Sequence, residues 1–291
     1  MPEGDTIHRA AQTLHRALCG RTVTTFTSVF PHLTRIDDTT PLTGRTIERV
    51  EARGKHLLMW FSGDLVLRTH MRMHGSWHIY RPGERWQRPR HDMRIAIETD
   101  AFHAIGFSIP IAELTSSREL ERTGPLQQLG PDILGNDFDA DDAVARLRAR
   151  SDVEIADALL DQTALAGIGN VYKSEVLFAA KVNPFTAVAD VTDEQLHNLV
   201  AIATRFLRAN VPGRSGGHSQ AQDTDAIVTY TGLRRTTGRA DPSARLWVYG
   251  RAGKPCRRCG TAISRRRQGP HARSTYWCEE CQPGALPSPE A

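Results

Sequence analysis

Hydrophobic positions near the start of the chain recur every three to four residues, the period of a helix with one buried face. These positions are Ile7, Ala10, Ala11, Leu14, Ala17 and Leu18. Asp5 is suited to cap the start of this helix and Gly20 to end it. Cys19, at the end of the helix, is expected to be a small buried residue. The pattern predicts a first helix of about four turns.

Between residues 22 and 107 the pattern changes to short stretches rich in β-branched and aromatic residues, separated by Gly, Pro and Asp. Such stretches are typical of β-strands. The predicted strands are 22–30, 46–52, 56–61, 64–69, 75–80, 93–99 and 102–107. Seven short strands in succession predict a β-sandwich or a barrel.

Beyond residue 130 helical periodicity returns. The predicted helices are 139–149, 153–163, 170–180 and 193–210. Thr192 and Gln195 have the spacing of a capping box for the last of these. Residues 213–245 are polar and rich in glycine, and we interpret them as a long mobile loop. The combination predicts an α+β multidomain protein.

Four cysteines form two Cys-x2-Cys pairs: Cys256 with Cys259, and Cys278 with Cys281. The 18 residues 260–277 separate the pairs, a spacing that is typical of one tetrahedral zinc site. Four thiolates leave no open position for water, so a structural zinc is expected rather than a catalytic one. A long chain without a hydrophobic leader does not suggest a disulfide framework, and we expect a reducing cytoplasm.

The segment around these cysteines is strongly basic, with no Asp or Glu between residues 251 and 277. Its cationic residues are Arg251, Lys254, Arg257, Arg258, Arg265, Arg266, Arg267 and Arg273. The whole chain carries a net charge of only +4, so the clustering of charge indicates a phosphate-bearing partner. The 40% hydrophobic content suffices for real cores, and no apolar run approaches the ~18 residues of a membrane span.

Residues 167–169, Gly-Ile-Gly, lie directly before the predicted helix that starts at Asn170. Such a turn lets backbone N–H groups and the positive end of a helix dipole approach a phosphate. An ordinary glycine turn between packed helices is the alternative, and the motif alone favours it. The basic segment favours the phosphate, which would make Asn170 a phosphate or sugar contact.

The first residues offer a nucleophile. A proline at the second position permits removal of Met1, which would leave Pro2 with a free secondary amine. An α-amino group titrates near ~8, so part of it is unprotonated at neutral pH and can attack a sugar C1′ to form an iminium. Glu3 is placed to act as a general acid. These residues alone do not decide the matter, because many proteins begin Met-Pro-Glu.

Five segments together resemble the formamidopyrimidine-DNA glycosylase and endonuclease VIII family. They are Pro2-Glu3-Gly4-Asp5, Gly54 to Leu58, Leu159 to Asn170, Val248 to Cys256 and Arg273 to Cys278, in the family's order. The resemblance implies an N-terminal β-sandwich with flanking helices, a helix–two-turn–helix domain and a C-terminal β-hairpin zinc finger, with DNA between the two main domains. The implied boundaries are 1–125 for the sandwich, 130–212 for the helical domain, 213–245 for the loop, 246–282 for the finger and 283–291 for a disordered tail.

The resemblance implies catalytic roles for four residues. Pro2 matches the Schiff-base nucleophile, and Glu3 matches the proton donor for base release and ring opening. Lys55 matches the lysine assigned to proton donation around β-elimination, although a solvated surface lysine is the alternative reading. Arg273 matches the finger arginine linked to the lesion phosphate and δ-elimination.

The resemblance also implies contacts with DNA. Asn170 matches the phosphate-binding asparagine. Arg72-Met73-His74 lies where the family inserts side chains into the space left by a flipped nucleotide, a task that suits an apolar wedge. His91 falls where some relatives place a DNA-contacting histidine, and Gln128 where a relative has a DNA-binding arginine. The residue types at 72–74, Gln128, the longer finger spacer and the long loop depart from the family pattern, so substrate and strand preference stay open.

The implied activity is that of a bifunctional DNA glycosylase and AP lyase of base excision repair, a monomer that flips a damaged nucleotide out of double-stranded DNA. The structural zinc would be its single cofactor. Single-stranded or bubble DNA stays open as a substrate. The opening Pro-Glu-Gly-Asp favours the endonuclease VIII branch and oxidised pyrimidines, with oxidised purines as the alternative. A non-catalytic DNA-binding module is a further alternative, against which Pro2, Glu3, Lys55 and Arg273 all count.

Overall fold

A computed structural model describes residues 2–122, 124–211, 234–239 and 241–284 of the chain. These residues form two compact units, the first ending at Gln127 and the second beginning at Gln128. Of the predicted loop 213–245, residues 213–233 and 240 lie outside the described residues, as do residues 285–291 of the predicted tail. No helix within the described ranges has both the length and the apolar character needed to cross a membrane.

The first unit is a sandwich of two antiparallel sheets with helices beside it. Its elements are α1 (Gly4–Leu18), β1 (Thr25–Ser28), α2 (Pro31–Thr39), β2 (Ile47–Arg53), β3 (His56–Phe61), β4 (Leu65–His70), β5 (Ser76–Tyr80), β6 (Met93–Glu98), β7 (His103–Phe107), β8 (Ile111–Thr115) and α3 (Ser117–Arg122). The strands form one sheet in the order β1-β6-β7-β5 and another in the order β2-β3-β4-β8. The predicted sandwich is confirmed.

The core of this unit lies between α1 and the sheets. α1 buries Ile7, Ala11, Leu14 and Leu18, four of the residues that predicted the helix. They pack in one cluster with apolar residues of both sheets, among them Leu57 and Ile97. Because α1 packs against the sheets along its length, its first residues are held at a fixed place on the unit.

The second unit is helical and ends in a two-stranded hairpin. Its elements are α4 (Ala140–Arg148), α5 (Ile155–Ala158), α6 (Asn170–Ala180), α7 (Asp193–Ala209), β9 (Ser264–Gln268) and β10 (Arg273–Trp277). One apolar cluster includes residues from all four helices. α6 is buried on almost every side, so its sequence lacks the one-sided apolar stripe of a surface helix.

Several local predictions differ from the structure. α2, β8 and α3 were not predicted, and the helix expected over 153–163 spans only Ile155–Ala158. The following turn is set by Asp161, whose carboxylate accepts the Thr163 N–H. Asp5 does not cap α1, since its buried carboxylate pairs with Arg9. Cys19 is exposed instead of buried, and its thiol donates to the Glu48 carbonyl. The capping box of α7 is confirmed.

Candidate functional site

Pro2 and Glu3 lie at the start of α1. Glu3 is the N-cap residue, and its carbonyl oxygen accepts the N–H groups of Thr6 (2.9 Å) and Ile7 (3.1 Å). The Glu3 side chain is fully buried, whereas Pro2 is partly exposed. Pro2 thus lies directly before the N-cap residue of α1, at the positive end of the helix dipole.

Lys55 occupies the two-residue turn between β2 and β3, in which Gly54 adopts a φ of 56° that favours glycine. The first residue of β3, His56, pairs with the last residue of β4, His70. Consequently, the Lys55 turn and the segment that follows β4 lie at the same end of one sheet.

That segment, residues 71–75, is a short loop with defined bonds. The Arg72 N–H donates to Nδ1 of His70 (3.0 Å), and Arg72 has a φ of 48°. The Gly75 N–H donates to the Met71 carbonyl (2.9 Å), and a Cβ at Gly75 would lie 2.6 Å from that oxygen. The loop therefore presents Arg72, Met73 and His74 to solvent in a fixed conformation. Met73 is 51% exposed, which is unusual for a large apolar side chain.

A cavity of about 130 Å³ lies between this loop and α1. Thr6 and Ala10 of α1 line one side, and Met71 and Gly75 line another. Since Thr6 follows Glu3 by three residues, the start of α1 and the loop 71–75 face the same space. Lys55 and the loop 71–75 thus lie at one end of a sheet, and the helix that begins next to Pro2 and Glu3 borders the same cavity as that loop.

His56, which is buried, and His70, which is partly buried, lie next to the Lys55 turn and the loop 71–75. The rings of His56 and His70 meet edge to face with centroids 4.8 Å apart, and Nδ1 of His56 bonds with Arg68 (2.9 Å). Burial, followed by the neighbouring His70 and Arg68, lowers the pKa of His56 to about 3. Burial and the nearby Arg72 and Lys55 lower the pKa of His70 to about 4. Both rings are neutral at physiological pH and add no charge beside Lys55.

His91 and Gln128 are both exposed. His91 lies in the 3-10 turn 90–92 before β6, with 83% of its side chain exposed. Gln128 is exposed in the turn between α3 and α4. Among the described residues, neither side chain forms a hydrogen bond or ion pair with another candidate residue.

In the second unit, Asn170 is the first residue of α6, directly after the N-cap Gly169. Its Nδ2 donates to the Ser274 carbonyl on β10 (2.8 Å), and Asn170 is buried, with a relative exposure of 7%. Ser274 follows Arg273 in the chain. The two predicted phosphate contacts of this unit, Asn170 and Arg273, therefore belong to neighbouring elements.

A buried chain of polar side chains continues this contact. Nζ of Lys173 donates to Oγ1 of Thr275 (2.6 Å), which donates to Oε1 of Gln268 (2.6 Å). Nε2 of Gln268 donates in turn to the Glu154 carboxylate (2.6 Å). Lys173 and Thr275 are fully buried. Both hairpin strands are thereby tied to α6 and to the residue before α5, which restricts the orientation of the hairpin.

Glu175 fixes the segment that leads to the finger. Its buried carboxylate accepts the backbone N–H groups of Trp247 (2.8 Å), Val248 (2.9 Å) and Tyr249 (2.8 Å), and the Thr236 hydroxyl also donates to it. Burial raises the pKa of Glu175, and these four donors oppose that rise. Thr236 and residues 247–249 are thus held against α6 by one side chain.

The four cysteines of the finger converge. Their Sγ atoms all lie within 4.8 Å of one another, with Cys256 3.9 Å from Cys281 and Cys259 3.4 Å from Cys278. Zn–S bonds of ~2.3 Å in a tetrahedron place sulfurs about 3.8 Å apart, so this set of donors fits zinc. Arg273 begins the second strand of the hairpin, opposite Gln268.

Comparison with known proteins agrees with this architecture. Family models match residues 1–108 (formamidopyrimidine-DNA glycosylase N-terminal domain), 129–221 (formamidopyrimidine-DNA glycosylase H2TH domain) and 253–284 (zinc finger found in FPG and IleRS). The chain is 40% identical to "Probable endonuclease 8 2" of Streptomyces coelicolor, covering 99% of this chain and 96% of the relative. It is 37% identical to "DNA-(apurinic or apyrimidinic site) lyase Nei2" of Mycolicibacterium smegmatis, with 97% and 99% covered.

A solved structure is similar over the same length. It is a complex between the Lactococcus lactis Fpg and DNA that contains an abasic site, with 26% identity, a TM-score of 0.78, and coverage of 97% of this chain and 100% of that one. A β-sandwich, a helix–two-turn–helix domain and a hairpin zinc finger define the class. The chain belongs to the formamidopyrimidine-DNA glycosylase and endonuclease VIII family.

Sequence patterns did not identify the residues that support these sites. Lysine and glutamate are seldom fully buried, so residue type alone gives no indication that Lys173 and Glu175 are buried. One signal was present: Lys173 and Ser174 follow Asn170 at helical spacings of three and four, which places all three on one face. On that same face, the Tyr276 N–H donates to Oγ of Ser174, with 3.4 Å between the nitrogen and the oxygen.

Proposed function

We propose that the protein is a bifunctional DNA glycosylase and AP lyase of base excision repair, acting on damaged double-stranded DNA. The observation that carries the proposal is the placement of α1, which begins next to Pro2 and Glu3, beside the loop 71–75 in the first unit. Thr6 and Ala10 of α1 and Met71 and Gly75 of the loop line one cavity. Relatives whose names denote endonuclease 8 and AP lyase activity match over nearly the whole chain.

The first chemical step falls to Pro2, after removal of Met1. Its neutral secondary amine attacks C1′ of the lesion nucleotide, and the C1′–N bond to the base breaks. Glu3 supplies the proton for base release and ring opening. The product of this step is a covalent iminium between Pro2 and the sugar.

Strand cleavage follows from the iminium. The positive nitrogen acidifies the hydrogens on C2′, so loss of a proton expels the 3′ phosphate by β-elimination. A second elimination expels the 5′ phosphate, which leaves a gap bounded by phosphates. Lys55 transfers protons around the first elimination, and Arg273 neutralises the lesion phosphate for the second.

The remaining candidates hold the DNA. Asn170 and the start of α6 bind a backbone phosphate. Met73, flanked by Arg72 and His74, fills the space left by the flipped nucleotide. His91 and Gln128 add contacts outside the lesion. One zinc held by the four cysteines stabilises the hairpin that carries Arg273.

The proposed preference is for oxidised pyrimidines, and it rests on the opening Pro2-Glu3-Gly4-Asp5 and on relatives named endonuclease 8. Single-turnover excision of thymine glycol and of 8-oxoguanine, each in the same duplex, tests it. Faster excision of 8-oxoguanine would replace this preference with the alternative, oxidised purines. The same panel in single-stranded and bubble DNA defines strand preference. We further propose that the enzyme works as a monomer in a reducing cytoplasm.

Borohydride trapping on an abasic-site duplex tests the chemistry. The protein with its native N-terminus should form a covalent adduct, whereas Pro2→Gly or a protein with an uncleaved N-terminal tag should form far less. If the native protein binds the duplex without forming an adduct, it acts as a non-catalytic DNA-binding module instead. Undiminished trapping by Pro2→Gly would assign the nucleophile to another residue.

A further inference from the structure

The connection between β5 and β6 is strongly cationic. Residues 81–94 contain five arginines and two carboxylates, Glu84 and Asp92. The arginines are Arg81, Arg85, Arg88, Arg90 and Arg94. With the exposed His91, this is the densest run of positive charge in the first unit. None of the roles proposed above uses these arginines.

Both carboxylates of the segment are occupied locally. Oε2 of Glu84 accepts the Arg81 backbone N–H (2.9 Å) and closes the turn 81–84. Oδ2 of Asp92 accepts from Arg88 (3.1 Å). Arg85 and Arg90 are exposed, and in the described part of the chain neither forms an ion pair. Both side chains are therefore exposed, and no carboxylate of the described residues forms an ion pair with either.

Trp86 anchors the segment. Its ring stacks on Tyr80 at 6.4 Å between centroids and meets Phe107 edge to face at 5.6 Å. The guanidinium of Arg90 lies 5.3 Å from the centre of the Trp86 ring. This aromatic support limits the freedom of the segment, so binding a partner costs less conformational entropy than for an unsupported arginine loop.

Arg88 connects the segment to the loop 71–75. Its Nη1 donates to the His74 carbonyl (3.3 Å) and to Oγ of Ser76 (3.3 Å), and its Nη2 donates to Oγ of Ser108 (3.4 Å). The cationic segment thus borders the loop that carries Met73. A strand of DNA whose base stack is entered by Met73 would continue past Arg85 and Arg90.

We propose that residues 81–91 form a second contact with the DNA backbone, in which Arg85 and Arg90 bind phosphates of the duplex that flanks the lesion. The inference rests on the proposed function. Exposed, unpaired guanidinium groups are suited to phosphate, and their place beside the loop 71–75 favours DNA over an acidic protein partner. These contacts carry no specificity for DNA sequence, because the cations bind the DNA backbone and not the edges of the bases.

The salt dependence of binding tests this contact. Affinity for a duplex with a stable abasic-site analogue is measured from low to moderate KCl for wild type, for Arg85→Ala/Arg90→Ala, and for the control Arg35→Ala/Arg118→Ala. The control arginines are exposed on α2 and α3 of the same unit. The slope of log K against log [salt] is negative. Each lost phosphate contact should reduce its magnitude by ~0.9, or about 1.8 for the double variant. The control should keep the wild-type slope.

Shortening the duplex locates the contact. Trimming one flank should remove the difference between wild type and Arg85→Ala/Arg90→Ala, while trimming the other should preserve it. Equal slopes for variant and wild type on every duplex would overturn the proposal, as would an equal loss in the Arg35→Ala/Arg118→Ala control. Borohydride trapping at saturating DNA should be unchanged in the variant, so a wrong Pro2 assignment and a wrong phosphate contact give different results.

Discussion

Lys173 donates a hydrogen bond from Nζ to Oγ1 of Thr275, 2.6 Å away, and both side chains are fully buried. Lys173 lies in the first turn of α6, and Thr275 lies two residues after Arg273 on β10. The bond therefore fixes the strand that carries the predicted δ-elimination residue relative to the predicted phosphate contact Asn170. Lys173 is best described as a positioning residue for Arg273.

Replacing Lys173 with Met should separate the two eliminations. The Thr275 hydroxyl loses the hydrogen bond from Lys173, so the hairpin is no longer held in one orientation. Arg273 then contacts the lesion phosphate for a smaller fraction of the time. We expect δ-elimination product to fall and β-elimination product to accumulate, measured on denaturing gels, while borohydride trapping keeps its rate. Lys173→Arg should restore part of the δ product. Lys181→Met, at the exposed end of the same helix, is the control, and an unchanged β/δ ratio in Lys173→Met would contradict the assignment.

Glu175→Gln should destabilise the second unit. The amide offers one acceptor oxygen where the carboxylate serves three backbone N–H groups and the Thr236 hydroxyl, so buried donors lose their partner. The expected loss is about 3 kcal/mol in the free energy of unfolding. Urea denaturation measures it, with the exposed Glu194→Gln on α7 as the matched control. Equal midpoints for the two variants would show that the carboxylate is dispensable.

Stability of the first unit should fall as the pH is lowered from about 6.5 towards 4. The folded state keeps His56 and His70 neutral, with pKa values of about 3 and about 4, while the unfolded chain takes up protons near 6.5. Because the two pKa values are lower in the folded state than in the unfolded chain, the histidines stabilise the folded state above pH 6.5. This stabilisation is lost as the pH falls. Each histidine contributes at most about 1.4 kcal/mol per pH unit in that window. Chemical denaturation of His56→Asn/His70→Asn across the same pH range should show a flatter dependence; an unchanged slope would exclude the pair.

Removing zinc should weaken DNA binding before it affects the chemistry of Pro2. The four cysteines lie in the second unit and Pro2 in the first, so loss of the metal loosens the hairpin that presents Arg273 without touching α1. Chelator-treated protein or Cys259→Ser should need more DNA for half-maximal trapping yet reach the same trapped fraction. Restored affinity on adding zinc to the chelated protein completes the test. Loss of trapping at saturating DNA would show that the metal supports the nucleophile itself.

Local patterns predicted the elements whose signals are local. The stripe from Ile7 to Leu18 gave α1, Thr192 with Gln195 gave the start of α7, and the cysteine spacing gave a cluster that the structure confirms. β8 was not predicted, because Ile111–Thr115 is short and its alternation of apolar and polar residues is weak. The burial of Lys173 and the contact between His56 and His70 were not predicted, because each depends on partners distant in sequence. The roles of Pro2, Lys55 and Arg273 remain predictions that the geometry supports.

Identifying the residue in the trapped complex tests the central claim most directly. The native protein is reduced with borohydride on an abasic-site duplex, digested with nuclease and protease, and its peptides are sequenced by mass spectrometry. We predict that the sugar remnant lies on the α-nitrogen of Pro2, in a peptide that lacks Met1. A remnant on a lysine side chain such as Lys55, with an unmodified N-terminal peptide, would contradict the Pro2 mechanism.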